Sequence, residues 1–238
     1  MKKIKIAHLY YDLMNLYGES GNVKAIMKSI EAANVEYEVH FLTIGDKIDF
    51  SKYDFYYMGM GSEENLLLVL EDIIKYSKDI KKSIANNKFF LVTGNALELF
   101  GKYIETLDAD IKINTLNIFD YYSRETDFRI VGEQLYKFEN IPEKIIGFQN
   151  RSSTLRNCTN PLFKVIKGTG HEPRSTYEGI RENNFFGSYL LGPLLIRNPY
   201  FTDYIVDQLL KSKGIEYKTN SNTMEYTAYN EFIKNFNK

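Results

Sequence analysis

The amino-acid sequence predicts an α/β protein with a mostly parallel central sheet flanked by helices, and with additional antiparallel strands in its C-terminal half. Three observations predict this fold class. Between residues 3 and 102, short apolar runs alternate with amphipathic helix patterns, which is typical of right-handed parallel βαβ units. Residues 88–103 read as a buried strand, a sharp turn and a helix. Beyond residue 111, several strand patterns follow one another with turn residues between them, which indicates a mixed sheet.

The first predicted unit is a strand at residues 4–10, a polar loop, and a helix at residues 21–33. Asp12, Asn15 and Asn22 have the side chains that commonly form turns and helix caps in such a loop. On these residues alone, we expect an ordinary connection between a strand and a helix.

The next strands are predicted at residues 36–44 and 53–58, and a helix at residues 63–85. Ser62 is a favourable N-cap because its hydroxyl can accept a hydrogen bond from the first turn. Glu63 follows it and places negative charge at the positive end of the helix dipole. These two residues set the predicted start of the helix.

Residues 88–103 organise the rest of the chain. A buried strand is predicted at residues 88–93, Gly94-Asn95 tolerates positive φ, and residues 96–102 read as the start of an amphipathic helix. This is the geometry of a nucleophile elbow, in which the apex residue carries the attacking side chain above the carboxyl ends of the strands. The apex residue here is Gly94, which has no side chain with which to attack.

The C-terminal half is predicted to be rich in strands, with turns at Gly132 and Pro142. Strands are predicted at residues 111–119, 128–138, 144–149, 163–167 and 177–180. Pro199 and Gly214 mark the start and end of a helix at residues 200–213. A last helix is predicted at about 222–236, and we expect residues 1–238 to form a single domain.

Composition excludes several classes of function. The 30 Lys and Arg residues balance 31 Asp and Glu residues, so no net field favours nucleic acid or an anionic membrane. The start of the chain lacks the apolar core of a signal peptide, and no apolar run approaches the roughly 18 residues of a membrane span. We therefore expect a cytoplasmic protein.

Metal and thiol chemistry are not predicted. Cys158 is the only cysteine and stands in a polar, turn-rich segment, so we interpret it as a loop thiol rather than a displaced nucleophile. His8, His40 and His171 lack the spacing of a metal site. We expect no metal and no cofactor.

Several motifs resemble class I glutamine amidotransferases of the cobyric acid synthase-like group, and in particular the GatD-type amidotransferase subunits of lipid II isoglutaminyl synthase. Residues 94–103 read Gly-Asn-Ala-Leu-Glu-Leu-Phe-Gly-Lys-Tyr, where the family has Cys-Gly-Gly-x-Gln-Leu-Leu-Gly-Lys-Tyr. Residues 8–22 match the opening of that family almost residue for residue, with Tyr11 at the usual proline. Residues 185–199 also match the family closely. The resemblance covers residues 1 to about 213 and implies a flavodoxin-like amidotransferase fold.

The resemblance also implies where a site lies and what it lacks. The family's cysteine falls on Gly94 and its histidine base on Leu191, so we expect no catalytic residues. Met58 and Met60 stand at two of the family's oxyanion-hole glycines, and only Gly59 matches. The vestigial pocket is expected to comprise Gly59, Met60, Gly61, Thr93, Asn95, Glu98, Gln149, Asn150 and Arg151.

One stretch near this pocket departs from the family. Residues 147–150, Gly-Phe-Gln-Asn, resemble the family's Gly-Phe-Glu-Asn, but the following His-Gly-Gly-Arg-Thr is replaced by Arg-Ser-Ser-Thr-Leu. Arg151 or Arg156 could approach the region of the family's arginine. A solvated loop with two arginines is the alternative.

The replaced pair favours a subunit without glutaminase activity, because cysteine and histidine act as one unit in this chemistry. The resemblance implies a Mur-ligase-like partner, for which the chain would be a scaffold or regulator. Two alternatives remain open at this point: a small-molecule sensor that uses the vestigial pocket, and a rewired enzyme that uses Asp12, Thr93, Glu98 or His171.

Overall fold

The computed structural model describes residues 3–108, 111–219 and 221–236. The helices are α1 (Ser20–Ala32), α2 (Glu63–Ile73), α3 (Ser77–Ala85), α4 (Leu194–Arg197), α5 (Pro199–Lys211) and α6 (Met224–Phe236). The strands are β1 (Ile4–Leu9), β2 (Tyr37–Leu42), β3 (Phe55–Met58), β4 (Phe89–Thr93), β5 (Tyr103–Glu105), β6 (Lys112–Asn114), β7 (Tyr122–Lys137), β8 (Lys144–Arg156), β9 (Phe163–Lys167), β10 (Tyr177–Glu178), β11 (Ile180–Glu182) and β12 (Phe185–Ser188).

The first sheet has the strand order β11-β12-β4-β3-β1-β2. All of its pairs are parallel except β11 with β12. The apolar runs that end near residues 9, 58 and 93 therefore lie side by side and point the same way. The predicted parallel sheet is confirmed, and its carboxyl edge carries the segments that follow β1, β3, β4 and β12.

Two hydrophobic clusters cover the two faces of this sheet. Successive residues of β3 alternate between them: Phe55 and Tyr57 pack with α1 and α5, whereas Tyr56 and Met58 pack with α2, α3 and the elbow segment. Alternation of this kind follows from the two-residue period of a strand. Because both faces are covered, the central strands β3 and β4 read as nearly continuous apolar runs in the sequence.

The second sheet has the order β10-β9-β7-β5-β6, with β8 also paired to β7. All of its pairs are antiparallel except β5 with β7. This confirms the predicted antiparallel strands of the C-terminal half. A third cluster, built on Leu135, Ile146 and Tyr229, packs α6 against the long hairpin of β7 and β8.

Several predicted boundaries were wrong. The predicted turn at Gly132 lies inside β7, where the glycine has a φ of 145° and the strand continues on both sides. The strand predicted at residues 177–180 is two strands in different sheets, separated by Gly179 at a φ of 71°. The strand predicted at residues 111–119 is limited to β6. In each case a glycine or a short apolar run fits both a strand and a turn, and pairing with strands distant in the sequence decides between the two.

The predicted helices also need two corrections. The helix predicted at residues 63–85 begins at the Ser62 N-cap, whose hydroxyl accepts from the Asn65 N–H at 3.1 Å. A 3-10 turn at Ile74–Tyr76 then divides it into α2 and α3. The segment after the elbow is a 3-10 helix, Gly94–Phe100, with all its residues buried, so it is not amphipathic. Among the helices of the described ranges, none combines the length and apolar character that crossing a bilayer requires.

Candidate functional site

The elbow at the end of β4 is built as the sequence predicts, with Gly94 at a φ of 65°. A Cβ atom placed on this glycine would lie 2.5 Å from the Met60 Cβ and 2.8 Å from the Leu191 Cδ2. Both distances are well below van der Waals contact. The structure therefore brings together Gly94, Leu191 and the loop after β3, the three segments that were predicted from the sequence to form one site, and fills the space between them with methionine and leucine.

Leu191 is held in this place by its backbone. Its N–H donates to the Phe148 carbonyl at 2.8 Å, which forms an isolated antiparallel bridge between the segment after β12 and strand β8. The side chain is buried. A leucine at this point can neither accept nor donate a proton, so it offers no general base for a group at the elbow.

The loop after β3 is locked to the elbow by one side chain. The Gly61 N–H donates to Asn95 Oδ1 at 3.1 Å, and Asn95 Nδ2 donates to the Gly61 carbonyl at 2.9 Å. Asn95 stands where the family pattern has a glycine, and its side chain is buried. A backbone N–H can stabilise an oxyanion only if it points at the reacting oxygen. The Gly61 N–H is already used inside the protein.

The Gly59 backbone is packed closely from the other side. A Cβ atom on Gly59 would lie 2.6 Å from the Met14 carbonyl oxygen and 2.6 Å from the Glu19 Cβ. A glycine is required here because the loop between β1 and α1 lies against this backbone. Met58, in contrast, lies within β3 and packs into the core beneath the loop.

A buried carboxylate lies beneath the elbow and was not found by sequence reasoning. Glu19 Oε2 accepts from the Thr93 hydroxyl at 2.6 Å and from the Tyr57 hydroxyl at 2.7 Å, and Oε1 accepts from the Gly192 N–H at 3.2 Å. Burial, and then the charge of Glu19, raise the pKa of Tyr57 well above its usual value. Glu19 thus ties the elbow, β3 and the Leu191 segment to one another.

Glu98, at the position of the family's glutamine, is buried behind the elbow. Its carboxylate accepts from the Ser153 hydroxyl at 2.5 Å and from the Tyr189 hydroxyl at 3.2 Å. Burial is the main cause that raises the pKa of Glu98 above its usual value. The hydroxyl donors and the nearby Arg151 act in the opposite direction. The residue is a buried link between the elbow and β8.

Arg151 corrects the alternative of a solvated loop. It lies within β8 and is only 4% exposed. Its guanidinium donates to the Gly170 carbonyl at 2.6 Å and to the His171 carbonyl at 3.3 Å, and it stacks 4.1 Å from the centre of the Tyr189 ring. Further bonds reach Gln149 Oε1 and the Ser153 carbonyl. The arginine ties β8 to the loop after β9, and it also lines the cavity next to the elbow segment.

The other polar residues of the expected pocket face away from the elbow or lie at the rim. Gln149 is buried and donates to the Tyr136 hydroxyl at 2.9 Å. Asn150 donates to the Tyr17 hydroxyl at 2.7 Å and accepts from Arg129 Nε at 2.6 Å. The cavity next to the elbow segment holds about 80 Å³ and is lined by residues that include Met60, Asn95, Glu98, Arg129, Asn150 and Arg151.

Of the side chains suggested for rewired chemistry, Thr93 and Glu98 lie in or next to the elbow segment and are hydrogen-bonded to Glu19 and Ser153. The other two have partners elsewhere. Asp12 accepts from the Thr43 hydroxyl in an exposed turn. His171 Nε2 lies 2.8 Å from the Gly179 carbonyl, and burial lowers its pKa. Burial raises the pKa of the Cys158 thiol to about 12, which disfavours the reactive thiolate. Within the part of the chain that the structure describes, no group of His, Cys, Asp or Glu side chains could hold a metal ion.

Two known proteins are similar to this chain over most of its length. The chain is 28% identical over 214 residues to the subunit GatD of lipid II isoglutaminyl synthase (glutamine-hydrolyzing) from Streptococcus pneumoniae, covering 89% of this chain and 82% of that protein. It is 27% identical over 218 residues to the subunit of the same name from Staphylococcus aureus, covering 92% and 89% of the two chains.

Solved structures share the fold at low sequence identity. A crystal structure of a glutamine amidotransferase superposes with a TM-score of 0.55 at 11% identity, covering 86% of this chain and 98% of that one. The glutaminase domain of Trypanosoma brucei CTPS with bound acivicin gives 0.52 at 10% identity, covering 91% and 96%. The model of the CobB/CobQ-like glutamine amidotransferase domain matches residues 5–199. The chain therefore belongs to the CobB/CobQ-like glutamine amidotransferase family.

Proposed function

We propose that this chain is a GatD-like subunit without glutaminase activity, which acts in the cytoplasm as a scaffold or regulator of a Mur-ligase-like protein. The observation that carries the proposal is the contact at the elbow. The position of the nucleophile is Gly94, and the space around it is filled by Met60 and Leu191.

The chemistry of glutamine hydrolysis needs three groups that this site does not offer. A thiolate must attack the amide carbon, an imidazole must move protons, and backbone N–H groups must stabilise the oxyanion. Gly94 has no side chain, Leu191 cannot exchange a proton, and the Gly61 N–H is bound by Asn95. Loss of either member of such a catalytic pair removes most of the rate.

The role as a partner rests on the relatives. Both GatD proteins are named as subunits of an enzyme that hydrolyses glutamine and synthesises isoglutaminyl lipid II. Similarity to both subunits over about nine tenths of this chain supports a role as a subunit. The proposed setting is therefore the amidation of the cell-wall precursor lipid II.

The alternative of a small-molecule sensor is less well supported. Ligand pockets usually hold about 300 to 1,000 Å³, whereas the cavity next to the elbow segment holds about 80 Å³. Met60 lines this cavity, and its Cβ would also lie 2.5 Å from a Cβ atom on Gly94. A ligand as large as glutamine would have to displace a buried side chain.

The proposal is tested by two measurements on the full chain. Purified protein, alone and with the Mur-ligase-like candidate, should release no glutamate from glutamine above the uncatalysed background, while an amidotransferase with its cysteine intact serves as the positive control. The chain should also co-elute with the ligase candidate. Failure to co-elute would refute the partner role.

Steady glutamate release by the chain would refute the lack of activity. It would promote the rewired enzyme if the release were lost on one of four changes, Asp12→Asn, Glu98→Gln, His171→Asn or Cys158→Ser. Release that survived all four changes would indicate a contaminating glutaminase.

A further inference from the structure

The first sheet ends in a strand with an open edge. Within the described part of the chain, β2 has a neighbouring strand on one side only, and every one of its residues is at least partly exposed. Phe41 is 55% exposed. The strand has no proline, lysine or bulge, three of the features by which proteins protect such edges, and its one acidic residue is Glu38. The opposite edge, β11, is only 3 residues long and carries Arg181.

The backbone of β2 presents alternate residues to this edge. The Ile4 N–H donates to the Glu36 carbonyl at 2.9 Å, and the Tyr11 N–H donates to the Leu42 carbonyl at 3.4 Å. Even-numbered residues therefore direct their backbone groups toward β1. Because backbone direction alternates along a strand, the N–H and C=O groups of Tyr37, Val39 and Phe41 point away from the sheet.

These outward residues could pair with the same residues of a second copy, and charge selects the register. In an antiparallel pair with Val39 opposite its own symmetry mate, Tyr37 faces Phe41 and all outward residues form hydrogen-bonded pairs. Glu38 then faces His40 of the other copy. A shift that centres the pair on Glu38 would place two carboxylates opposite each other, which is unfavourable.

Within one chain, Glu38 already pairs with Lys3 at 2.9 Å and with Lys5 of β1 at 3.6 Å, and it also contacts His40. Glu38 Oε1 lies 3.3 Å from His40 Nε2, and both side chains are about one third exposed. An imidazole N–H can donate to a carboxylate whether the ring is neutral or charged. On the opposite face of the strand, the Tyr37 and Phe41 rings would meet as a cross-strand aromatic pair, which stabilises antiparallel sheets.

We propose that β2 pairs with β2 of a second copy of this chain, antiparallel and centred on Val39, to form a continuous sheet across a two-fold axis. Such an interface is isologous, because the same residues contribute from both copies. It lies at the edge of the sheet rather than at the elbow. The proposal is therefore independent of whether the chain hydrolyses glutamine.

The test is sedimentation velocity on the full-length chain between about 1 and 100 µM, the range in which a small interface associates. The wild type should shift from monomer toward dimer as concentration rises. His40→Glu places two carboxylates opposite each other and should abolish the shift. The double change Glu38→His with His40→Glu exchanges the partners and should restore it.

A second comparison separates the edge from general surface hydrophobicity. Phe41→Lys should prevent dimerisation, whereas Ile166→Lys, a similarly exposed apolar residue on β9, should not. Circular dichroism should give the same spectrum for every variant, because the changed residues are exposed or half-exposed. A wild type that stays monomeric throughout, a dimer insensitive to His40→Glu, or a charge exchange that fails to restore association would each overturn the proposal. Pairing of β2 with a ligase instead of with itself would appear as association only in the mixture, and would overturn it too.

Discussion

Placing any side chain on Gly94 should destabilise the protein by an amount that the geometry allows us to work out. An L-residue at a φ of 65° costs about 1 to 2 kcal/mol. Crowding a well-packed core typically costs another 1 to 3 kcal/mol or so, and the new Cβ would lie 2.5 Å from the Met60 Cβ. We therefore expect Gly94→Ala to lower the free energy of unfolding by about 2 to 5 kcal/mol, measured by urea denaturation at 25 °C.

A double-mutant cycle with Met60 separates the two contributions. Met60→Gly removes the nearest atom of the overlap, so Gly94→Ala should then cost its backbone strain and the remaining contact with Leu191 Cδ2 at 2.8 Å, and the coupling should reach about 1 to 3 kcal/mol. Met60→Ala is the matched control, since it shortens the side chain but keeps the clashing Cβ. Its coupling should be much smaller.

Two results would contradict this packing: a loss of less than about 1 kcal/mol in the free energy of unfolding on Gly94→Ala, or a coupling with Met60→Ala as large as that with Met60→Gly. Either result would mean that the loop after β3 moves away from the elbow without cost. In that case, the packing around Gly94 would not by itself exclude a nucleophile.

Three further predictions concern the buried polar contacts. Asn95→Ala should lower the free energy of unfolding by about 2 to 3 kcal/mol, because it leaves both Gly61 backbone groups unpaired; a loss below about 0.5 kcal/mol would contradict the lock. Arg151→Met should cost about 3 kcal/mol or more, whereas Arg156→Met, which loses a partly exposed ion pair with Glu172, should cost less than about 1 kcal/mol; equal losses would contradict the assignment. Burial raises the pKa of the Glu178 carboxyl from 4.5 to about 7, so its stabilising contribution is fully present below pH 4.5 and falls by about 3 kcal/mol as pH rises through 7. Urea denaturation at pH 5 and pH 8 measures this change in the free energy of unfolding, and Glu178→Gln should remove it. The same pH dependence in Glu178→Gln and in the wild type would contradict the assignment.

The parallel half of the fold was predictable because its signals are local. The runs that became β3 and β4 are buried on both faces and almost entirely apolar, and β1 is mostly apolar. The Ser62 cap marked a helix start that the structure reproduces. The long hairpin was not predictable in the same way. Glycine is a common turn residue, and Gly132 stays within an extended strand because it is paired with Gln149 of β8.

In the candidate site too, local motifs could be predicted from the sequence and long-range contacts could not. The positions of Gly94 and Leu191 could be predicted because each lies in a motif of fixed spacing. The roles of Glu19 and Asn95 could not be predicted, because their hydrogen-bond partners lie in segments that are distant in the sequence and meet only in the fold. Arg151 was ambiguous for a related reason: an arginine in a polar stretch resembles a solvated one until its carbonyl acceptors are placed.

The passage of the chain through Gly179 has a mechanical consequence. Glu178 is paired with Phe163 in the second sheet, and Ile180, two residues later, is paired with Gly187 in the first. A single residue cannot act as a flexible tether, so neither sheet can slide past the other while these pairs hold. A force applied to the second sheet therefore reaches β12, and β12 leads directly to Leu191. The segment that carries Leu191 is therefore tied to the second sheet at two points, through Gly179 and through the bridge between Leu191 and Phe148 of β8.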